Sequence, residues 1–206
     1  MTRSRARLLP YGVPVPRHSF IVLEDHPLVL GAITDHLSTA FPGATIAYRG
    51  AHLLEALEQS ESAEATCAIV DLDLGDGRRP AETVMHLRDA GIPVVMISAH
   101  EQALLVQDAV IAGALAYVPK RSIIDQLADA VGAAERHVPW LSPDFAAVLV
   151  PVEGSTVELD PLAERALVLY AAGLPTSMIA SRTGIEPGEV RPLLESAIQA
   201  YRSPDL

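Results

Sequence analysis

The chain has 206 residues, is 50% hydrophobic and 20% charged, and carries a formal net charge of −11. That length suits one ordinary domain plus a small second one, and no stretch approaches the roughly 20 unbroken apolar residues of a membrane-crossing helix. The acidity opposes contact with nucleic acid except through a local basic patch, and the single cysteine, Cys67, rules out an internal disulfide and fits a reducing cytoplasm.

Residues 1–18 hold four arginines, and Pro10, Pro14 and Pro16 interrupt the apolar residues that follow the first three, so the segment reads as a flexible basic tail and not a signal peptide. From 19 to 138 apolar runs alternate with amphipathic ones. "SFIVLED" (19–25) is a strand, and 27–40 a helix with Val29, Ile33 and Leu37 on one face. "ATIAY" (44–48) follows the Pro42-Gly43 turn, and 51–60 reads as a helix. "CAIVDLD" (67–73), "PVVMISA" (93–99) and "ALAYVPK" (114–120) are further strands. The helices 81–91, 101–113 and 122–137 separate and follow them, the last with a stripe of Ile124, Leu127, Ala128 and Val131.

Strands without strict alternation are covered on both faces, which implies a five-stranded parallel, doubly wound α/β sheet. In such sheets the functional crevice lies at the carboxyl ends of the strands. Those ends carry Glu24-Asp25, Asp71, Ser98 and Lys120. Singly, an aspartate after a strand is a turn former or a cap, and the serine and lysine are ordinary surface groups. Jointly they form a site: carboxylates offer hard oxygen ligands to Mg²⁺, a lysine neutralises a carboxylate or holds an oxyanion, and a carboxylate can itself become an acyl phosphate.

These pieces, "VLEDHPLV", "IVDLDLGDG", "VVMISAH" and "GALAYVPK", resemble the flavodoxin-like receiver domain of two-component response regulators, and the "DLGDGRRP" loop resembles the NarL/FixJ class. The resemblance implies that Asp71 is the phosphoacceptor, that Glu24, Asp25 and Asp71 with the Asp73 backbone carbonyl hold Mg²⁺, and that Ser98 and Lys120 bind the phosphoryl group. It places Tyr117 at the aromatic switch position, with Ser98 as the other switch residue; a half-buried strand aromatic is the plain alternative for Tyr117. Asp76 reads as a turn residue beside Gly77. A sensor histidine kinase is the implied phosphoryl source, a cytoplasmic homodimer the implied active form, and no catalysis is implied beyond the receiver's own phosphotransfer and dephosphorylation.

Residues 139–157 read as a linker with one short helix capped by Ser142, and Trp140 is placed to pack it on the receiver. Residues 158–206 outline a small all-α helix-turn-helix domain: a helix from Asp160-Pro161 to Gly173, a second to Gly184, and a third over 187–201. "LDPLAERALVLYAAGLPTSMIASRTGIEPGEV" resembles the LuxR-type DNA-binding domain, with Arg182, Glu189 and Arg191 as the candidate DNA contacts. The third helix departs from that family. Arg191 is its only basic residue before Arg202, and residues 156–206 hold four Arg or Lys against seven Asp or Glu, a net of −3. The family's fourth helix has no counterpart after Tyr201, which leaves a degenerate or a truncated domain as the two readings. A transcription regulator that binds DNA is therefore the first expectation. A regulator acting through protein contacts, suggested by Leu193-Leu194, is the second, and a Mg²⁺-dependent phosphohydrolase is a remote third.

Overall fold

The computed structural model describes residues 18–59, 64–99 and 102–202; of the basic tail expected at 1–18, residues 1–17 lie outside the described residues. Five parallel strands, β1 (Ser19–Leu23), β2 (Thr45–Gly50), β3 (Cys67–Asp71), β4 (Val94–Ser98) and β5 (Ala116–Pro119), form one sheet in the order β2-β1-β3-β4-β5. Every residue of β1, β3, β4 and β5 is buried, which explains the unbroken apolar runs. Helices α1 (Pro27–Ala40) and α5 (Ile123–Ala134) cover one face, packing on Phe20, Val22, Ile69 and Val118. Helices α2 (Leu53–Glu58), α3 (Pro80–Asp89) and α4 (Ala103–Ala112) cover the other, over Ile21, Val70 and Met96. The chain reverses direction across the sheet between β1 and β3, so the crevice of such folds falls at the ends of these two strands.

The stripe expected on α5 starts one residue out of place. Ile123 is buried and Ile124 is 79% exposed, because a 3-10 turn over Lys120–Ser122 sets the phase of the helix. Leu127 and Val131 stay inside as expected.

The C-terminal half comprises α6 (Pro143–Leu149), α7 (Pro161–Ala171), α8 (Thr176–Thr183) and α9 (Val190–Arg202), the last preceded by a 3-10 turn at Pro187–Glu189. Local chemistry sets these boundaries. Ser142 Oγ accepts from the Phe145 N–H at 3.1 Å, and the Asp160 carboxylate accepts from Leu162 and Ala163. Gly184 closes α8 in the left-handed conformation at φ +77°. A capping box between Glu186 and Glu189 opens the turn into α9. Pro192 is the third residue of α9, inside the first turn, where a missing N–H costs little.

Within the segment 139–157, α6 packs as part of the core. Phe145, Ala146, Val148 and Leu149 of α6 are buried in the same apolar cluster as Tyr117 of β5, Val106 and Val110 of α4, and Leu167, Ile198 and Tyr201 of the helical unit. Polar pins fix the seam. Gln107 on α4 donates to the carbonyls of Val148 at 2.9 Å and Val150 at 3.3 Å, and accepts from Ser155 Oγ at 2.7 Å. Asp144 on α6 accepts from Arg121 at 2.7 Å and Gln126 at 2.9 Å. Trp140 packs on the α1–α5 side of the receiver, and its backbone N–H donates to the Leu115 carbonyl at 2.9 Å. Below the sheet, Cys67 is fully buried; burial, reinforced by the Glu135 charge, pushes its thiol far above the usual range.

Tyr201 Oη donates to the buried Leu149 carbonyl at 2.7 Å, tying α9 to α6. Tyr201→Phe strands that acceptor, so urea unfolding should show a loss of about 1–3 kcal/mol. A loss near zero would mean that α9 and α6 are not joined there in solution.

Candidate functional site

The carboxyl ends of β1, β3, β4 and β5 bring Glu24, Asp25, Asp71, Ser98 and Lys120 to one edge of the sheet. The Glu24 backbone N–H donates to the Gly50 carbonyl at 2.9 Å, which pins the end of β1. Register sets the rest: Asp71 lies opposite Ile97, and Ser98 lies opposite Pro119, one residue before Lys120. Glu24, Asp71 and Ser98 are all at most 4% exposed.

Lys120 is the centre of the arrangement. Its Nζ lies 2.7 Å from Glu24 Oε2 and donates to Asp71 Oδ2 at 2.8 Å. Burial raises the Asp71 pKa above the ordinary carboxylate value; the hydrogen bond from Lys120 pulls it back, and the Glu24 charge adds to the rise. For Lys120, burial works to lower the pKa, but the hydrogen bonds with Asp71 and Glu24 outweigh it and the net shift is upward. The stability that this lysine contributes is therefore complete below its unfolded pKa and is lost as pH rises through the higher folded value.

Asp25 is more open, and the His26 ring Nδ1 lies 2.6 Å from Asp25 Oδ1 and 3.2 Å from Glu24 Oε1. The Asp25 hydrogen bond is the main reason that the His26 pKa is raised. The seven histidines are scattered along the sequence with no metal-ligand spacing, but the fold gathers His26 with Glu24, Asp25 and Asp71, with ligand atoms all within 4.8 Å of one another. The adjacency of His26 to two acids at a strand end was the available signal. Three carboxylates from two neighbouring strand ends fit a hard divalent cation such as Mg²⁺. Of the other acids in the loop, Asp73 Oδ1 accepts from the Gly75 N–H at 3.2 Å and Asp76 Oδ1 from the Arg78 N–H at 3.0 Å, both turn-forming bonds.

The remaining sequence candidates lie elsewhere. Tyr117 is 1% exposed and sits under α6, not half-buried on the strand. Arg182 is exposed in the last turn of α8. The Glu189 carboxylate accepts the Glu186 N–H at 3.0 Å as part of the capping box. Arg191 is exposed and pairs with Glu195 at 3.2 Å.

Residues 20–132 match the family model described as the response regulator receiver domain. The match covers more than half of the chain, and the chain belongs to that family. Among curated proteins, it is 28% identical over 131 residues to the glycerol metabolism activator of Pseudomonas putida, covering 62% of this chain and 58% of that protein. It is 24% identical over 176 residues to the transcriptional regulatory protein DesR of Bacillus subtilis (strain 168), covering 84% of each. Among solved structures, a Salmonella typhimurium RcsB response regulator aligns over 90% of this chain and 92% of its own, with a TM-score of 0.58 and 15% identity. A LuxR-family response regulator from Aurantimonas sp. SI85-9A1 aligns over 64% and 94%, with a TM-score of 0.56 and 25% identity. The molecule is thus a response regulator by its receiver domain, and its relatives include a LuxR-family response regulator and an RcsB response regulator seen in complex with DNA. Among the described residues, no helix is long and apolar enough to cross a membrane.

Lys120 is charge-paired with Glu24 and Asp71, two of the carboxylates that a divalent cation here would share. In Lys120→Met, Mg²⁺ affinity measured by calorimetry should rise about tenfold or more, as expected when a charge-assisted hydrogen bond no longer competes. Without Mg²⁺ the same variant should lose about 3–5 kcal/mol at neutral pH, because a buried charge is left unpaired. That loss should shrink as pH falls and Asp71 takes up a proton. A loss unaffected by pH, or an unchanged Mg²⁺ affinity, would contradict the bridge.

Proposed function

We propose that this protein is a phosphorylation-controlled regulator in which Asp71 accepts a phosphoryl group from a histidine kinase. The observation that carries this reading is the Lys120 ammonium held between the buried carboxylates of Asp71 and Glu24 at the end of the parallel sheet. The Asp71 carboxylate attacks phosphorus, the bond to the donor histidine nitrogen breaks, and an acyl phosphate forms. Lys120 then has a phosphoryl oxygen to hold in place of the carboxylate, and the Ser98 hydroxyl stands on the next strand end. Glu24, Asp25, Asp71 and the Asp73 carbonyl would hold Mg²⁺, which supplies charge neutralisation for the transfer. Tyr117 and Ser98 are the switch pair in this reading, and the burial of Tyr117 beneath α6 supplies a route to the C-terminal half. The setting is cytoplasmic, with a homodimer as the phosphorylated form.

The test is acetyl phosphate with Mg²⁺, followed by intact-mass measurement. The wild type should gain the mass of one phosphoryl group and Asp71→Asn should gain none. An equal gain in the variant would move the acceptor elsewhere.

Output through DNA is the first of two readings, supported by the helix-turn-helix outline and by an RcsB–DNA complex among the structural relatives. The outward face of α9 favours the second, protein contacts: it shows Arg191, Pro192, Glu195, Ser196 and Gln199, one cation among five residues. Phosphate neutralisation supplies most non-specific DNA affinity. Capture of genomic DNA fragments across a salt series, with and without beryllofluoride and Mg²⁺, separates the two. Salt-sensitive capture that rises with beryllofluoride supports DNA output; no capture by folded, beryllofluoride-bound protein supports protein contacts.

A further inference from the structure

The exposed start of α9 faces the segment that leaves the receiver. Arg191, Leu194, Glu195 and Ile198 recur at helical spacing and share one face. Across from them run Pro139, Trp140 and Leu141, with Tyr170 of α7 and Thr176 of α8 closing the sides. These residues enclose a cavity of about 310 Å³, at the lower end of the roughly 300–1000 Å³ range of small-molecule sites.

Its chemistry is divided. The apolar lining, its bed, comes from Trp140, Leu141, Leu194, Ile198 and Tyr170. The polar groups are few: Arg191, Glu195 and two hydroxyls. The bed is firmly placed, since Trp140 is hydrogen-bonded to Leu115 at 2.9 Å and Tyr170 Oη donates to the Leu141 carbonyl at 3.2 Å. The mouth is loosely held. Arg191 and Glu195 meet through Nε at 3.2 Å, with 86% and 63% of their side chains exposed, and such a pair opens readily. A guanidinium offers a planar fork that matches a carboxylate with two bonds. Arg191 is the only cation lining this cavity, in a chain with a large acidic excess.

We propose that this cavity binds a small planar aromatic carboxylate, its ring against Trp140 and Tyr170 and its carboxylate forked on Arg191. The occupant would bridge Trp140 of the receiver's exit segment and Arg191 of α9. Trp140 is tied to Leu115, which leads into β5 with Tyr117 and on to Lys120. The site is thus a second input into the strand that carries the phosphoryl site, and it withdraws Arg191 from any other anion.

Trp140 is the only tryptophan in the chain, so the ¹⁵N-labelled protein gives a single indole N–H signal that reports on the bed. The full chain is titrated with 2-naphthoate and, separately, with its uncharged counterpart 2-naphthamide. Naphthoate should move the indole signal saturably, and naphthamide should bind about tenfold or more weakly, as expected for a lost charge-assisted fork. Arg191→Gln, an exposed substitution that leaves the core intact, should weaken naphthoate to the level of naphthamide and leave naphthamide unchanged. The proposal is overturned by an indole signal that does not move or does not saturate, by equal binding of the two probes, or by naphthoate binding that survives Arg191→Gln. None of these results bears on Asp71, because the titration involves no phosphoryl donor.

Discussion

A single ammonium group between two buried carboxylates is the constraint on which the rest of the molecule depends. Glu24 and Asp71 end adjacent parallel strands, and the sheet brings both out of water at the same edge. Two such charges side by side are costly. Lys120, delivered by β5 from two strands away, offsets that cost at 2.7 and 2.8 Å. The offset is incomplete, since Asp71 still has a raised pKa. A divalent cation would bring the positive charge that these carboxylates still lack.

The second half of the molecule grows out of the same strand. β5 carries Tyr117 two residues before its last, and α6 lies over it. Tyr117, Phe145, Leu149 and Tyr201 share one cluster, so the apolar core crosses from sheet to helical unit without a break. A separate domain on a tether would feel events at Lys120 only through collisions. A body that shares its core with β5 feels them through packing, because close-packed interiors do not absorb displacement quietly. Gln107 makes the seam specific as well as apolar: three polar partners fix where α6 and the following turn must lie on α4.

Much of this was legible in the sequence, for identifiable reasons. Buried parallel strands leave unbroken apolar runs, and the residues just after them must lie at the crevice, so Glu24, Asp25, Asp71, Ser98 and Lys120 could be collected without coordinates. The caps at Ser142 and Asp160 and the stop at Gly184 follow from backbone chemistry alone. What escaped was tertiary. One histidine beside two acids has no ligand spacing, so His26 stayed hidden until the loop folded. A seven-residue helix among prolines reads as a linker, and only its neighbours show that α6 is core. Burial of Gln107 contradicts its polarity, and only the carbonyls of α6 explain it. The misplaced Ile124 came from a 3-10 turn, whose different pitch shifts the phase of the helix that follows.

The position of Cys67 has a consequence for oxidative chemistry. The chain's one sulfhydryl is sealed beneath the sheet and held protonated, and the thiolate is the form that oxidants and disulfides attack. Pairs of these molecules cannot be stapled through this sulfur while folded. Peroxide reaches the thiol only when the β-sheet opens around it, so loss of that thiol reports local opening at β3 as well as unfolding.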